Sequence, residues 1–504
     1  MKKEIKTGAI LGYINMIASL LISLLYTPIL LKSLGQSEYG LYALVASVIG
    51  YLSVLDMGFG NAMIRYISRS KANPKKYDEK KINGLFLLLY LIIGLISLIV
   101  GFILIGNINN IFKALTPSEL EKAKVIMIIL VITVSISFPL SIFDSYVVSC
   151  EKFKYSRIMS LIKTLLVPLT MLPLLHFGYK AIAMVLVTSI YSLVFHVITI
   201  YYCFKKLEMK IHFSIKNIDK IFLKEIFVYS FFIFLNIVVD NIYTNTDQVI
   251  LGNVSGTIAI SIYAVATRIS QINTNFSTTI SGLFFPRINK TLEENDGDKK
   301  VSNIFLRVSR IQLYIMTLLM LGIITFGKQF IVLWVGNDYQ DAYYIVLLLI
   351  VPAIIPLTQN IGISILQAKN KHKFRSIVYI FIAILNILIS IPLARKYAGI
   401  GAAMGTMIAN VLGQILTMNF YYWKKIKIDI PAYWKRFISY VIPITIVSLG
   451  IMKLIENIKF NFVTLIISII IYTFMYFIYA YLYMNNDEKG YVKKVFNKIL
   501  RRKT

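Results

Sequence analysis

Fourteen stretches of about 20 or more largely apolar residues follow one another along the chain, parted by short polar gaps. Each is long enough to cross the hydrocarbon core of a bilayer as a helix. The spans read 9–31, 39–60, 83–105, 125–149, 157–176, 180–204, 226–250, 257–284, 310–335, 343–367, 375–395, 400–422, 437–455 and 462–484. Helices are expected throughout, because an open sheet in lipid would strand its amide and carbonyl groups without partners. The expected fold class is an all-α polytopic membrane protein. Two more stretches have one apolar face but not the length to cross. Residues 212–225 carry Ile215, Ile218, Ile221 and Phe222, and the tail carries Val492, Val495, Phe496 and Ile499. Both read as helices lying on the inner leaflet.

Charge then orients the spans. Of 53 Lys and Arg residues, 41 fall in alternate gaps that share one face, starting with the N-terminal Lys2, Lys3 and Lys6 and ending with the tail. Such a bias places that face, and both termini, in the cytoplasm. In a soluble chain, a net charge of +29 would point to nucleic acid. With 57% hydrophobic residues and a mean hydropathy of +0.72, it is a topology signal instead, and no nucleic-acid partner is expected. Its further effect is attraction to anionic membrane lipids. The first apolar run is too long for a signal-peptide core and reads as a retained span. Cys150 and Cys203 both fall at cytoplasmic helix ends, where a disulfide is not expected.

The chain repeats itself at an offset near 220 residues. Ile29-Leu30, Gly35 and Tyr42-Ala43 match Ile250-Leu251, Gly256 and Tyr263-Ala264; Pro139-Leu140 matches Pro356-Leu357. Pro173, Gly178 and Tyr201-Tyr202 fall opposite Pro392, Gly399 and Tyr421-Tyr422. Six spans per copy is an even number, so both copies enter from the cytoplasm and relate by an axis along the membrane normal. The expected organisation is a six-helix lobe at 1–211, an amphipathic linker at 212–225 and a second six-helix lobe at 226–427. Two extra spans at 428–486 and a basic tail at 487–504 complete it.

The stretch TPILLKSLGQSEYGLYALVASVIGYLSVLDMGFGNAMIRYISR resembles the opening of Wzx-type polysaccharide flippases. The likeness rests on Pro28, Leu34-Gly35, Tyr39-Gly40, Leu41-Tyr42 and the run from Gly58 to Arg65. DQVILGNVSGTIAISIYAVATRIS is similar to the same family's second-lobe opening. Those proteins belong to the multidrug/oligosaccharidyl-lipid/polysaccharide exporter superfamily, with two six-helix lobes around a central cavity. The resemblance implies export of an oligosaccharide on undecaprenyl pyrophosphate across the bacterial cytoplasmic membrane. It also implies pathway partners such as a polysaccharide polymerase and glycosyltransferases.

Charges at bilayer depth are costly, so each must meet a cavity, a partner or water. Asp240 and Arg268 share one depth near the midplane, either as a structural ion pair or with Arg268 offering its charge to a diphosphate or acidic sugar. Asp247 lies two turns beyond Asp240, roughly 10 Å by helical rise, accompanied by Asn241, Asn245 and Gln248. This stripe is a cavity wall, a cation route or ordinary interhelical hydrogen bonding. Lys163 could reach phosphate or snorkel to the headgroups. Asp56 and Asp144 are proton or sodium sites, or partners of a basic residue such as Arg65, Lys152 or Arg157. Gly401, Gly405, Ala409 and Gly413 recur every four residues, which is helix-packing spacing. The four His residues lack any paired spacing, so neither metal nor cofactor is expected, and no catalytic residue stands out.

A flippase without covalent chemistry is the leading reading. The alternatives are a multidrug or organic-cation exporter of the same superfamily, and a membrane polysaccharide polymerase or acyltransferase. The latter would need an extramembrane catalytic loop or a His/Asp constellation, and neither is visible.

Overall fold

The computed structural model describes residues 2–74, 78–213, 220–369, 371–455, 458, 460–486 and 488–490, and every regular element among them is a helix. The chain opens with α1 (Lys2–Ser53), a 3-10 turn (Val54–Asp56), α2 (Phe59–Ala72), α3 (Glu79–Gly106), the one-turn α4 (Ile108–Ile111) and α5 (Pro117–Ser149). Next come α6 (Phe153–His176), α7 (Ala181–Lys205), α8 (Lys220–Val254), α9 (Gly256–Gly282) and the short α10 (Phe285–Leu292). They are followed by α11 (Gly297–Val335), α12 (Ala342–Thr358), α13 (Ile361–Ala368) and α14 (His372–Asn410). A π-helical turn (Val411–Thr417) leads into α15 (Met418–Lys424), and α16 (Ile430–Ile455) and α17 (Phe462–Tyr483) complete the series. Much of the two amphipathic stretches, residues 214–219 and 491–504, lies outside the described residues.

This is a multi-pass all-α membrane protein. Among the described residues nine helical runs are long and apolar enough to cross a bilayer, or ten if α12 and α13, bent by 45°, form one broken span. The difference from the expected fourteen has physical causes. Ile10–Lys71 contains two expected spans joined across Gly35, and Lys373–Lys424 contains two more joined across Ala398. α9 is rich in Ser, Thr and Asn and carries Arg268, which lowers its apolarity, and several α8 side chains lie outside the described residues.

The breaks follow the sequence repeat. Gly35 (φ 78°) interrupts α1, and its match Gly256 (φ 80°) separates α8 from α9. Gly35, with ψ 169°, occupies backbone space that essentially only glycine enters. Gly178 (φ 81°) ends the turn after α6, and Ala398 (φ 48°) makes a comparable break one residue before the matching Gly399.

By packing, the chain divides into two units: residues up to 264 with 379–406, and 265–378 with the described residues from 407 onward. In the first unit, Phe59, Tyr66, Phe86, Tyr90 and Tyr146 form a buried aromatic core between α2, α3 and α5. Glycines let α3 and α5 approach: a methyl on Gly94 would lie 2.6 Å from the Ser135 carbonyl, and one on Gly101 2.4 Å from Val131. Thr116 and Glu119 cap the start of α5 reciprocally. Glu119 also accepts hydrogen bonds of 2.6 Å from Ser37 and Thr257, tying the break in α1 to the start of α9. Ile10, Ile14, Ile17, Leu21 and Leu25 form an exposed apolar stripe along α1, as a lipid-facing helix should.

In the second unit, tyrosines join α11, α16 and α17. Tyr440 donates to Tyr476 (2.8 Å), Tyr476 donates to the Tyr314 carbonyl (2.6 Å), and Ser448 and Tyr472 lie 2.6 Å apart. Polar pairs of this kind hold helices together where lipid removes the hydrophobic incentive to associate.

Candidate functional site

Asp247, on α8 in the first unit, is 3% exposed. Its carboxylate accepts hydrogen bonds from Tyr263 on α9, from Thr406 (2.6 Å) and from Asn386 (3.4 Å), the last two on α14. Ser390 donates to the Asn386 side-chain oxygen and lies 3.2 Å from the Ala402 carbonyl. Every group that hydrogen-bonds Asp247 among the described residues is neutral. The break at Ala398 makes this node possible, because it folds the end of α14 back onto the preceding turns. A methyl on Gly405 would lie 2.1 Å from Ser390 Oγ, and one on Gly401 2.0 Å from the Leu393 carbonyl. The four-residue glycine spacing thus packs α14 against itself. Asn386, Ser390 and Thr406 were not singled out in the sequence, and Tyr263 only as a repeat match; the i, i+4 pair Asn386 and Ser390 beside a glycine ridge was the available signal.

The rest of the α8 stripe is engaged in local ties within the same unit. Gln248 accepts from Ser47 (2.6 Å) and Thr246 meets Tyr51 (2.6 Å), both partners on α1. Asn245 donates to Asn241 (3.0 Å), which donates to the Ile237 carbonyl (3.1 Å). Asn245 also fills the space over Gly50. The side chain of Asp240 lies outside the described residues.

Two carboxylates have partners other than the basic residues expected. Asp144 on α5 lies 3.1 Å from His196 Nδ1 on α7, and Lys163 on α6 interacts with it electrostatically. Three helices thus bring together an acid, an imidazole and an amine that are far apart in sequence, which is why residue spacing gave no hint of His196. Asp56 accepts from the Tyr90 hydroxyl (2.7 Å) and the Gly58 amide (3.1 Å). It sits at the start of α2, where the helix dipole favours an anion. Arg65 instead lies over the ring of Tyr229, 4.3 Å from its centre.

In the second unit, α9 has two unlike faces. Ile269, Asn273, Ser277 and Ser281 recur every four residues and are buried. Ser277 donates to the Leu357 carbonyl on α12 (2.6 Å), and Gln312 on α11 donates to Ser281 (2.8 Å). Along the other face Arg268, Gln271 and Thr278 are exposed and Asn275 is partly so, with Gln271 donating to Asn275 (3.2 Å). Arg268 makes no ion pair or hydrogen bond among the described residues. A polar stripe exposed along an expected span must meet water or an anion, because hydrocarbon would reject it. Arg268 was legible from the sequence as an intramembrane cation; the wet face it belongs to was not.

Residues 6–292, more than half of the chain, match the family model described as polysaccharide biosynthesis protein. The chain belongs to that family. A candidate O-antigen transporter of Shigella flexneri is 21% identical over 408 residues, covering 78% of this polysaccharide biosynthesis protein and 91% of the relative. A candidate flippase, AglR, of Haloferax volcanii is 29% identical over 182 residues, 35% of this chain and 37% of its own. Among solved structures, the lipid II flippase MurJ in an inward closed conformation aligns with a TM-score of 0.71 at 19% identity, over 94% of this chain and 98% of its own. An inward-facing multidrug resistance MATE family transporter of the MOP superfamily aligns with a TM-score of 0.60 at 15% identity, over 83% of this chain and 99% of its own. At these identities the structural likenesses show the fold. The resemblance to Wzx-type flippases is borne out, and the relatives found are transporters and flippases, not enzymes.

Proposed function

We propose that this protein flips an oligosaccharide linked to undecaprenyl pyrophosphate from the inner to the outer leaflet of a bacterial cytoplasmic membrane. Exposed Arg268 on the polar face of α9 carries the reading. Its guanidinium stays charged at physiological pH and can hold a phosphate through two parallel hydrogen bonds. An organic cation would be repelled there, so the multidrug alternative is not favoured. Alternating access follows from the sequence repeat, with lobes at 1–211 and 226–427 rocking about a central path and the lipid tail left in the bilayer. Lys163 is a second candidate contact for phosphate, and Asn241, Asn245 and Gln248 would line the path only in a state that releases their present ties.

Asp247 is the strongest coupling site. One carboxylate among neutral hydrogen-bonding groups, sealed from water, suits a proton or a small monovalent cation, and filling or emptying it would change the packing of α8, α9 and α14. Asp240, Asp56 and Asp144 are the other candidates. Both termini would be cytoplasmic, and the polymerase and glycosyltransferases of the same pathway would be the functional partners.

The test is export of surface polysaccharide by Arg268 variants at equal protein abundance. Arg268→Ala should abolish export and leave the lipid-linked intermediate on the inner leaflet, while Arg268→Lys should recover only part. If Arg268→Ala exports normally, α9 does not hold the substrate. If it merely lowers abundance and Asp240→Asn restores both level and export, the residue is a structural partner.

A further inference from the structure

The feature that the flippase reading leaves unused is a cavity of about 990 Å³ in the second packing unit, between α10, α11 and α17. That volume is at the upper end of the 300–1,000 Å³ typical of small-molecule pockets. Arg287 and Lys290 from α10 line it, together with Lys300 and Arg307 from α11. Ile311, Ile315, Phe477 and Met484 line it as well. Along α11 the lining changes from Lys300 and Arg307 to Ile311 and Ile315 within about 22 Å of helical rise. This is the polarity change met on going from the headgroup zone into one leaflet of a core roughly 30 Å thick.

Both carboxylates at the cavity are already engaged. Glu294 is paired with Lys300 (2.9 Å), which holds its carboxyl below the usual carboxylate range, so the pair persists at neutral pH. Buried Glu488 is ion-paired with Arg310 (2.5 Å) and accepts from Tyr314 (3.3 Å). Arg287 and Lys290 are exposed and make no ion pair among the described residues. The cavity therefore offers two exposed cations, balanced only in part by the Glu294 carboxylate that Lys300 already pairs, beside an apolar trough. A free phosphate would use only the first, and a detergent-like apolar molecule only the second.

We propose that this groove holds an anionic phospholipid of the inner leaflet, with its phosphate on Arg287 and Lys290 and an acyl chain along Ile311, Ile315 and Phe477. It is a resident lipid, distinct from the one transported. The Arg310–Glu488 pair joins α11 to the segment after α17 beside the groove and ties its walls together. Basic pockets at the cytoplasmic ends of membrane helices suit such headgroups. The inference does not depend on which glycan the protein moves.

The test uses the full-length protein in nanodiscs of phosphatidylglycerol and phosphatidylcholine in equal parts, with co-purified lipid counted by native mass spectrometry. Wild type should retain phosphatidylglycerol in preference to phosphatidylcholine. Arg287→Gln with Lys290→Gln should lower that affinity about thirtyfold, and Lys290→Gln alone about fivefold. Lys424→Gln with Lys425→Gln, equally basic but outside the groove, should change nothing. Arg287→Lys should keep most of the binding, which separates loss of charge from loss of fold. Equal retention by the groove variant, equal loss in the control pair, or equal retention of phosphatidylcholine would overturn the proposal. Displacement by millimolar inorganic phosphate would do the same, marking a phosphate site rather than a lipid site.

Discussion

Asp247 shows how one buried carboxyl group can be tolerated in a membrane helix. Three neutral donors face its carboxyl group, which is hydrogen-bonded but meets no cation among the described residues. That balance leaves room for a proton or a cation to bind, which a salt bridge would have prevented. Asp247→Asn keeps the shape and most of the hydrogen bonds, so normal abundance with lost export is expected. Asp247→Leu leaves Tyr263, Thr406 and Asn386 facing an apolar side chain, at about 1–3 kcal/mol for each unsatisfied group. A lower melting temperature and lower abundance should follow. Normal export by Asp247→Asn would remove the residue from the coupling route. The sequence offered Asp247 because a carboxylate inside an apolar run is conspicuous. Its partners were hidden because Ser, Thr, Asn and Tyr are cheap enough in membrane helices to pass unnoticed.

Where helices break, the local reading was reliable about position and silent about purpose. Gly35, Gly256 and Gly178 all have positive φ, as expected for glycines that punctuate apolar runs. The spacing of Gly401, Gly405, Ala409 and Gly413 signalled close packing correctly, yet a helix-to-helix contact and a fold-back within one helix give the same spacing. Only the backbone at Ala398, an unremarkable alanine in the sequence, decides between them. Gly405→Ala is accordingly expected to be costly: its new methyl would meet Ser390 Oγ at 2.1 Å and the Ser390 backbone at 2.8 Å. Overpacking of this kind costs about 1–3 kcal/mol, and here it would also displace the oxygens around Asp247. Gly450→Ala on α16 is the control, since nothing lies within 4 Å of the added methyl. Replacing an exposed helical glycine should be neutral or stabilise by up to about 1 kcal/mol. Thermal melting in detergent should separate the two variants by several degrees, and equal melting temperatures would contradict the fold-back geometry.

That the chain crosses the bilayer many times was the most legible property, because it is written in composition rather than in contacts. Apolar runs state that the chain crosses, and basic residues predict which gaps stay inside. What sequence could not state was which spans are wet on one side, since Arg268, Gln271 and Thr278 signify a cavity face only once Ser277 and Ser281 are seen packed on the other. Orientation is therefore the claim that charge alone must support, with 41 of 53 basic residues on one face. Asn109, Asn337 and Lys299 are all exposed, so a cysteine at any of them is sterically open to reagent. In a background with Cys150 and Cys203 replaced by Ser, a membrane-impermeant maleimide applied to intact cells should label cysteines at 109 and 337. It should spare 299 until the membrane is permeabilised. The groove residues Arg287 and Lys290 share with Lys299 a gap expected to be cytoplasmic, so the same experiment decides which leaflet their lipid would come from. Efficient labelling of position 299 in intact cells would invert the topology, and with it the direction in which the glycan is proposed to move.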